Sequence, residues 1–198
     1  MEKREQITHI HIVNDKILLS HKLRKYALEW AKKEYKNFRS NGRDKETMIL
    51  NVYYGRTSEI AFRAIFKDTV KDLSRVNTTD GPDGGYDFSF MKDGKSFRIN
   101  VKSLDKKYKQ LVTFNDRYDT SDLYSLITID GYKYLEDLED SISYIEPETW
   151  KYEGTVNKVT MNKHKFFRDG WNKPVVYRKI FKENRLKHEN IINNSSGK

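Results

Sequence analysis

The sequence predicts an α/β domain. Three observations predict it: two stretches with apolar residues at helical spacing, several short alternating segments, and an Asp-Gly pair set between two of those segments. The chain has 198 residues, enough for one domain with a proper core. Charged residues make up 34%, which describes a very polar surface, but 13% aromatic content supplies the large side chains that a modest aliphatic count would not. Disorder is therefore not expected.

In chain order, "ITHIHIV" (7–13) alternates apolar and polar and reads as a short strand, with more strand at 17–19. His9 and His11 share one face of it; with no third ligand nearby they read as solvent-facing residues rather than a metal pair. Ser20 is placed to cap a helix, because a serine oxygen can accept from the otherwise unpaired N–H groups of a first turn. Leu23, Tyr26, Ala27, Trp30, Ala31 and Phe38 then recur at helical spacing, and Gly42 stops the run. Lysines and arginines cover the opposite face, as a solvated surface or as a basic helix along phosphates.

A second helix is predicted over about 47–73, with a break near Gly55 and its better-defined part at "SEIAFRAIFKDTVKDL". Its broad apolar surface, which includes Ile60, Ala61, Ala64, Ile65 and Phe66, suits a helix packed on a sheet. Glu59 lies at the start of that surface, where a carboxylate also complements a helix N-terminus. Further strands are predicted at 110–115, 123–130, 142–146 and 174–181, with an uncertain stretch before the last. There is no internal repeat and no linker rich in Gly, Pro or Ser. The expected organisation is one domain over 1–182 and a polar, disordered tail over 183–198.

Net charge is +9 with a pI near 9.4, and a polyanion is the natural partner for such an excess. The absence of cysteine removes disulfides, thiolate nucleophiles and cysteine-based zinc sites, and suits a reducing compartment. No apolar run approaches the roughly 20 residues that cross a bilayer. The start, "MEKREQITHIHIV", has acidic residues and no signal-peptide core, so the expectation is a cytoplasmic protein without a membrane partner.

The segment "GPDGGYDFSFMKDGKSFRINVKS" (81–103) carries the residues arranged for chemistry. Asp93-Gly94 between alternating segments is a strong hairpin signal. With those two residues as the loop, Phe90 opposes Phe97, Phe88 opposes Ile99 and Tyr86 opposes Val101, making one face apolar. The other face pairs Met91 with Ser96, Ser89 with Arg98, and Asp87 with Asn100, with Lys102 two places on. Directly opposed residues have Cβ atoms about 5 Å apart, which lets two side-chain oxygens reach one hard cation. Magnesium accepts one carboxylate plus a carbonyl oxygen and keeps several waters, and a lysine on the same face can hold a phosphate or an attacking water. Without chemistry, the same pattern is a half-buried hairpin with a polar outside.

"PD" at Pro82-Asp83, "GGYD" at 84–87 and "INVKS" at 99–103, preceded by Glu59 on a helix, resemble the PD-(D/E)xK nuclease superfamily. The closest pattern is its modification-dependent restriction branch. The resemblance covers about residues 55–103 and implies a restriction-endonuclease-like fold, a mixed central sheet flanked by helices. It implies that Asp87 is a metal ligand, that Lys102 positions the nucleophile, and that Glu59 completes the site through water. Asp83 is the second choice of ligand. Asn100 stands where the family usually has Asp, Glu or Gln, so its carbonyl oxygen would coordinate without adding charge.

The function these residues lead us to expect is a magnesium-dependent endonuclease that hydrolyses phosphodiester bonds in DNA, with manganese able to substitute and a homodimer as a fitting assembly. The alternatives are a DNA-binding module on the same fold, impaired by Asn100, and a basic protein that binds RNA or another acidic partner.

Overall fold

In the computed structural model the described residues are 10–37, 42–66, 70–72, 86–108, 112–113, 120–138, 148–167 and 174–193. A mixed sheet runs through the middle of the molecule. Its strands are β1 (Ile10–Val13), β2 (Lys16–Leu19), β3 (Lys71–Asp72), β4 (Phe88–Lys92), β5 (Lys95–Asp105), β7 (Leu123–Asp130) and β8 (Thr149–Asn157), in the spatial order β1-β2-β8-β7-β5-β4-β3. Among the described residues only β5 and β7 pair in parallel; the other neighbours in this sheet are antiparallel. A small second sheet joins β6 (Val112–Thr113), β10 (Pro174–Val176) and β9 (Phe166–Phe167) in that order.

Helices cover both faces, as the α/β class requires. On one side lie α1 (His21–Glu34), continued by a 3-10 turn at Tyr35–Asn37, and α2 (Lys45–Ile65). Their buried residues, among them Ala27, Leu28, Tyr53 and Phe62, join Ile99, Val101, Ile127 and Ile129 of the sheet in the main core. On the other side α3 (Lys158–His164) and α4 (Arg178–Asn193) bring Met161, Ile180 and Phe181 onto Tyr124, Leu126 and Val156. The strand β7 is thus buried on both faces, and its sequence LYSLITID accordingly carries large side chains at successive positions.

Helix starts follow the sequence chemistry. The Ser20 oxygen accepts from Leu23 N at 3.3 Å, Asp44 from Thr47 N at 2.8 Å, and Asn157 from Thr160 N at 2.7 Å. The bond from Thr47 N first, and a second from the Thr47 hydroxyl at 2.8 Å, hold the Asp44 carboxyl below its usual range.

Five expectations change. The helix α2 runs unbroken through Gly55: Tyr53, Tyr54, Thr57 and Ser58 around it are buried, and their packing outweighs the ~1 kcal/mol that glycine costs a helix. It ends at Ile65, and Lys71–Asp72 is a strand against β4 instead of a last helical turn. The segment 174–181 is strand only to Val176; from Arg178 it is helix. That helix continues to Asn193, into the region expected to be a disordered tail. Finally, β8 is a long strand that the sequence left unassigned. The expected strand at 142–146 and the candidates His9 and Asp83 lie outside the described residues.

One glycine fixes how α4 sits. At Gly154, φ is +145°, and a Cβ there would lie 2.3 Å from the Phe181 carbonyl oxygen and 3.0 Å from its carbon. Backbone cannot yield as a side chain can, so Gly154→Ala must lift the helix. We expect a loss of at least about 2 kcal/mol, combining overpacking with backbone strain. Urea unfolding measures it; a loss below about 0.5 kcal/mol would mean that α4 adapts freely.

Candidate functional site

The turn residues of the β4–β5 hairpin both take left-handed backbone, Asp93 at φ +49° and Gly94 at +72°. That pair of angles matches the right-handed twist of the strands and sets the register. Lys92 faces Lys95, Met91 faces Ser96, Phe90 faces Phe97, Ser89 faces Arg98 and Phe88 faces Ile99. Phe90 and Phe97 stack at 5.3 Å between centroids, and Phe88 packs 5.2 Å from Phe62 of α2. These five opposed pairs are the ones expected from the Asp-Gly turn.

Beyond Phe88 the ladder departs from expectation. The Asp87 N–H donates to Ile99 O at 2.8 Å, and the Asp87 carboxylate, through Oδ2, accepts from Val101 N at 2.6 Å. A side-chain oxygen thus takes the place that a neighbouring strand's carbonyl would hold. Regular pairing stops there, and Tyr86 does not oppose Val101 in the ladder; its ring instead lies 5.6 Å from the Arg98 guanidinium. The physical reason is the competition that short acidic side chains offer to backbone partners.

Because a strand's N–H points along the sheet plane, the bond to Val101 lays the Asp87 carboxylate beside β5, next to the residue flanked by Asn100 and Lys102. Asp87 and Asn100 are both buried, at 5% and 9% exposure, while Lys102 is half-buried. Asn100 and Lys102 align with Tyr124 and Leu126 of β7, so these two share the sheet face that α4 covers.

Glu59 belongs to the other layer. It sits on α2, which packs on the Ile99 and Val101 face, and its carboxylate pairs with Arg56 at 2.7 Å. The Arg56 guanidinium in turn lies 5.6 Å from the Trp30 ring centroid. The hairpin therefore gathers Asp87, Asn100 and Lys102 along one stretch of β5, whereas Glu59 lies in the layer on the opposite side of the sheet and is not brought to them.

A residue that sequence reasoning passed over closes the near end. Asp122, just before β7, accepts from Arg98 N at 2.8 Å and donates its own N–H to Arg98 O at 2.9 Å. Its carboxylate also lies 3.5 Å from Arg98 Nε. Asp122 thereby anchors the start of the parallel β5–β7 pairing immediately ahead of Asn100. Nothing local in "DTSDLYS" signals this, since its partner is 24 residues away.

Among the described residues no three His, Cys, Asp or Glu side chains gather into a metal-binding group, and no helix is long and apolar enough to cross a membrane. The set at the hairpin holds one acid, Asp87, with the Asn100 amide on the neighbouring strand. No protein-family model matches the chain, and no curated protein sequence matches it either.

Proposed function

We propose that this chain is a metal-dependent DNA endonuclease with a restriction-endonuclease-like fold, and that the hairpin of β4 and β5 carries its active site. The observation that carries the proposal is the 2.6 Å bond from Val101 N to Asp87, which brings a buried carboxylate alongside Asn100 and Lys102. The mixed sheet with helices on both faces is compatible with such a fold, and the charge of +9 suits a polyanionic substrate.

The donor set fits a hard cation such as magnesium. A carboxylate has about four lone-pair sites, and Val101 occupies one of those on Asp87. The Asn100 carbonyl oxygen adds a neutral ligand, and water fills the remaining positions, as magnesium prefers. When bound, such a cation polarises the scissile phosphate and lowers the pKa of a water. Asp87 supplies the fixed negative charge. Lys102 neutralises the phosphate and orients the attacking water. Glu59, on the opposite face of the sheet and paired with Arg56, stands outside this set.

A plasmid-nicking assay with and without magnesium tests the proposal. Nicking that needs the cation supports it; a chain that binds DNA and never nicks, with magnesium or manganese, favours the second reading. That reading is a DNA-binding module on the same fold, and the observation in its favour is Asn100, which brings no charge to a site with few acids. Asn100→Asp separates the two in a further way. It adds the missing charge at a position about one residue from Asp87, so nicking should hold or rise up to about tenfold at limiting magnesium. A sharp loss would mean that the amide N–H₂ of Asn100 is the group in use.

A further inference from the structure

At the far end of β5 and β7, beyond the hairpin site, the chain builds a second cleft, of about 240 Å³. Asn51, Tyr54, Asp105, Tyr108, Tyr132 and Tyr134 line it, together with Lys107. The volume falls below the ~300–1,000 Å³ of drug-sized pockets, so it suits one small flat group. Four tyrosines meet there, two packed on the core and two exposed.

Two of them form the floor. Tyr132 stacks on Tyr54 at 4.0 Å between centroids and 23° between planes, and Tyr54 in turn accepts from Lys133 N at 2.8 Å. Burial, with the nearby Asp105 charge adding, pushes the Tyr132 hydroxyl up to about 12. The other two are open: Tyr108 is 58% exposed and Tyr134 73%. The Lys107 ammonium lies 5.1 Å from the Tyr108 centroid, 5.8 Å from the Tyr132 centroid and 3.0 Å from Asp105 Oδ2. Two rings and a carboxylate thus converge on one point, which the chain's own lysine occupies with a side chain that is itself 58% exposed.

We propose that this cleft takes a nucleobase with an exocyclic amino group, cytosine above all, from a single-stranded or flipped-out nucleotide. The base replaces the Lys107 ammonium between the rings of Tyr108 and Tyr132. The Asp105 carboxylate, which is 8% exposed, exchanges Lys107 for the base's N–H₂, as acidic side chains accept from cytosine N4. Lys107 swings outward to the phosphate. Asp105 stands three residues beyond Lys102 on the same strand, an odd separation that turns it to the α2 face of the sheet, so the cleft is a contact separate from the hairpin site. The inference rests on the reading that the chain binds DNA, and supplies the feature of the substrate that it grips.

The test is fluorescence anisotropy in EDTA with short oligodeoxycytidine, oligothymidine and an abasic strand of equal length. The unsubstituted chain should prefer the cytidine strand. Tyr108→Ala should weaken that binding by about 5- to 100-fold, the range of base–aromatic stacking, and leave the abasic strand unchanged. Tyr108→Phe should retain the affinity, and Tyr134→Ala gives an independent loss if the outer ring also closes on the base. Equal affinity of Tyr108→Ala and the unsubstituted chain for the cytidine strand overturns the inference, as does a Phe variant that loses as much as Ala. Plasmid nicking with unchanged Tyr108→Ala affinity keeps the nuclease and removes the cleft. Loss of cytidine binding in Tyr108→Ala, in a chain that never nicks, keeps the cleft and removes the nuclease.

Discussion

Asp87→Asn is expected to reduce magnesium-dependent nicking by at least about a hundredfold while the fold survives. Asparagine keeps an oxygen in position to accept from Val101 N and removes only the charge, so the change isolates the electrostatic role. A fixed group that stabilises charge in a transition state typically contributes about 10²–10³ in rate. Alanine is the poorer choice. It would leave the buried Val101 N–H without its partner, at a cost of about 1–3 kcal/mol, and would mix unfolding with lost chemistry. Lys102→Met is the companion change, because it retains the apolar stem of a half-buried side chain and deletes the ammonium. It should also cost about a hundredfold. Supercoiled plasmid conversion gives the rate and thermal unfolding checks the fold. Nicking within a few-fold of the unsubstituted chain in both variants would remove the hairpin from the active site.

How much of this site was legible in the sequence depends on how far each interaction reaches along the chain. Asp93-Gly94 is a local signal with a geometric consequence, and all five opposed pairs of β4 and β5 follow from it. The position of Asp87 was legible only as far as its neighbourhood. Counting along ideal strands puts it upright opposite Asn100, whereas its carboxylate turns sideways onto β5, a competition that periodicity does not encode. The same limit hid β8. Its register slips at Leu126/Ile127, where Glu153 is left between the partners of those residues, and alternation breaks at Glu153-Gly154. The slip has a purpose visible only in three dimensions: Glu153 accepts from Thr128 Oγ1 at 2.7 Å, pairs with Arg178, and lies 3.6 Å from Lys182, tying α4 down where Gly154 lets it approach. The helix itself read as a polar tail because its apolar side, as far as its side chains are described, is only Ile180 and Phe181. The tyrosine cleft was equally hidden, since its rings come from α2, the end of β5 and the turn after β7.

Glu148→Ala should destabilise the fold by about 3–5 kcal/mol, the largest stability effect we expect from one substitution. Glu148, fully buried, accepts from Arg24 Nη1 at 2.8 Å, and the arginine side chain is itself only 6% exposed. The two residues stand 124 apart in sequence and join α1 to the start of β8. Tyr53 of α2 adjoins them; burial first, and the Glu148 charge second, push its hydroxyl far above the usual range, so it stays neutral and can only hydrogen-bond. Removing Glu148 alone leaves a guanidinium buried with its counter-charge gone, which costs far more than the pair is worth as a pair. The contrast gives the test its force. Arg24→Met with Glu148→Leu removes both charges and keeps apolar volume, and such exchanges are often neutral or stabilising. We therefore expect the single variant to melt far below the unsubstituted chain, by roughly 2–4 °C per kcal/mol at this size, and the double variant to recover most of the difference. Equal losses in the single and double variants would mean that the pair fixes the geometry between α1 and β8, rather than merely neutralising itself.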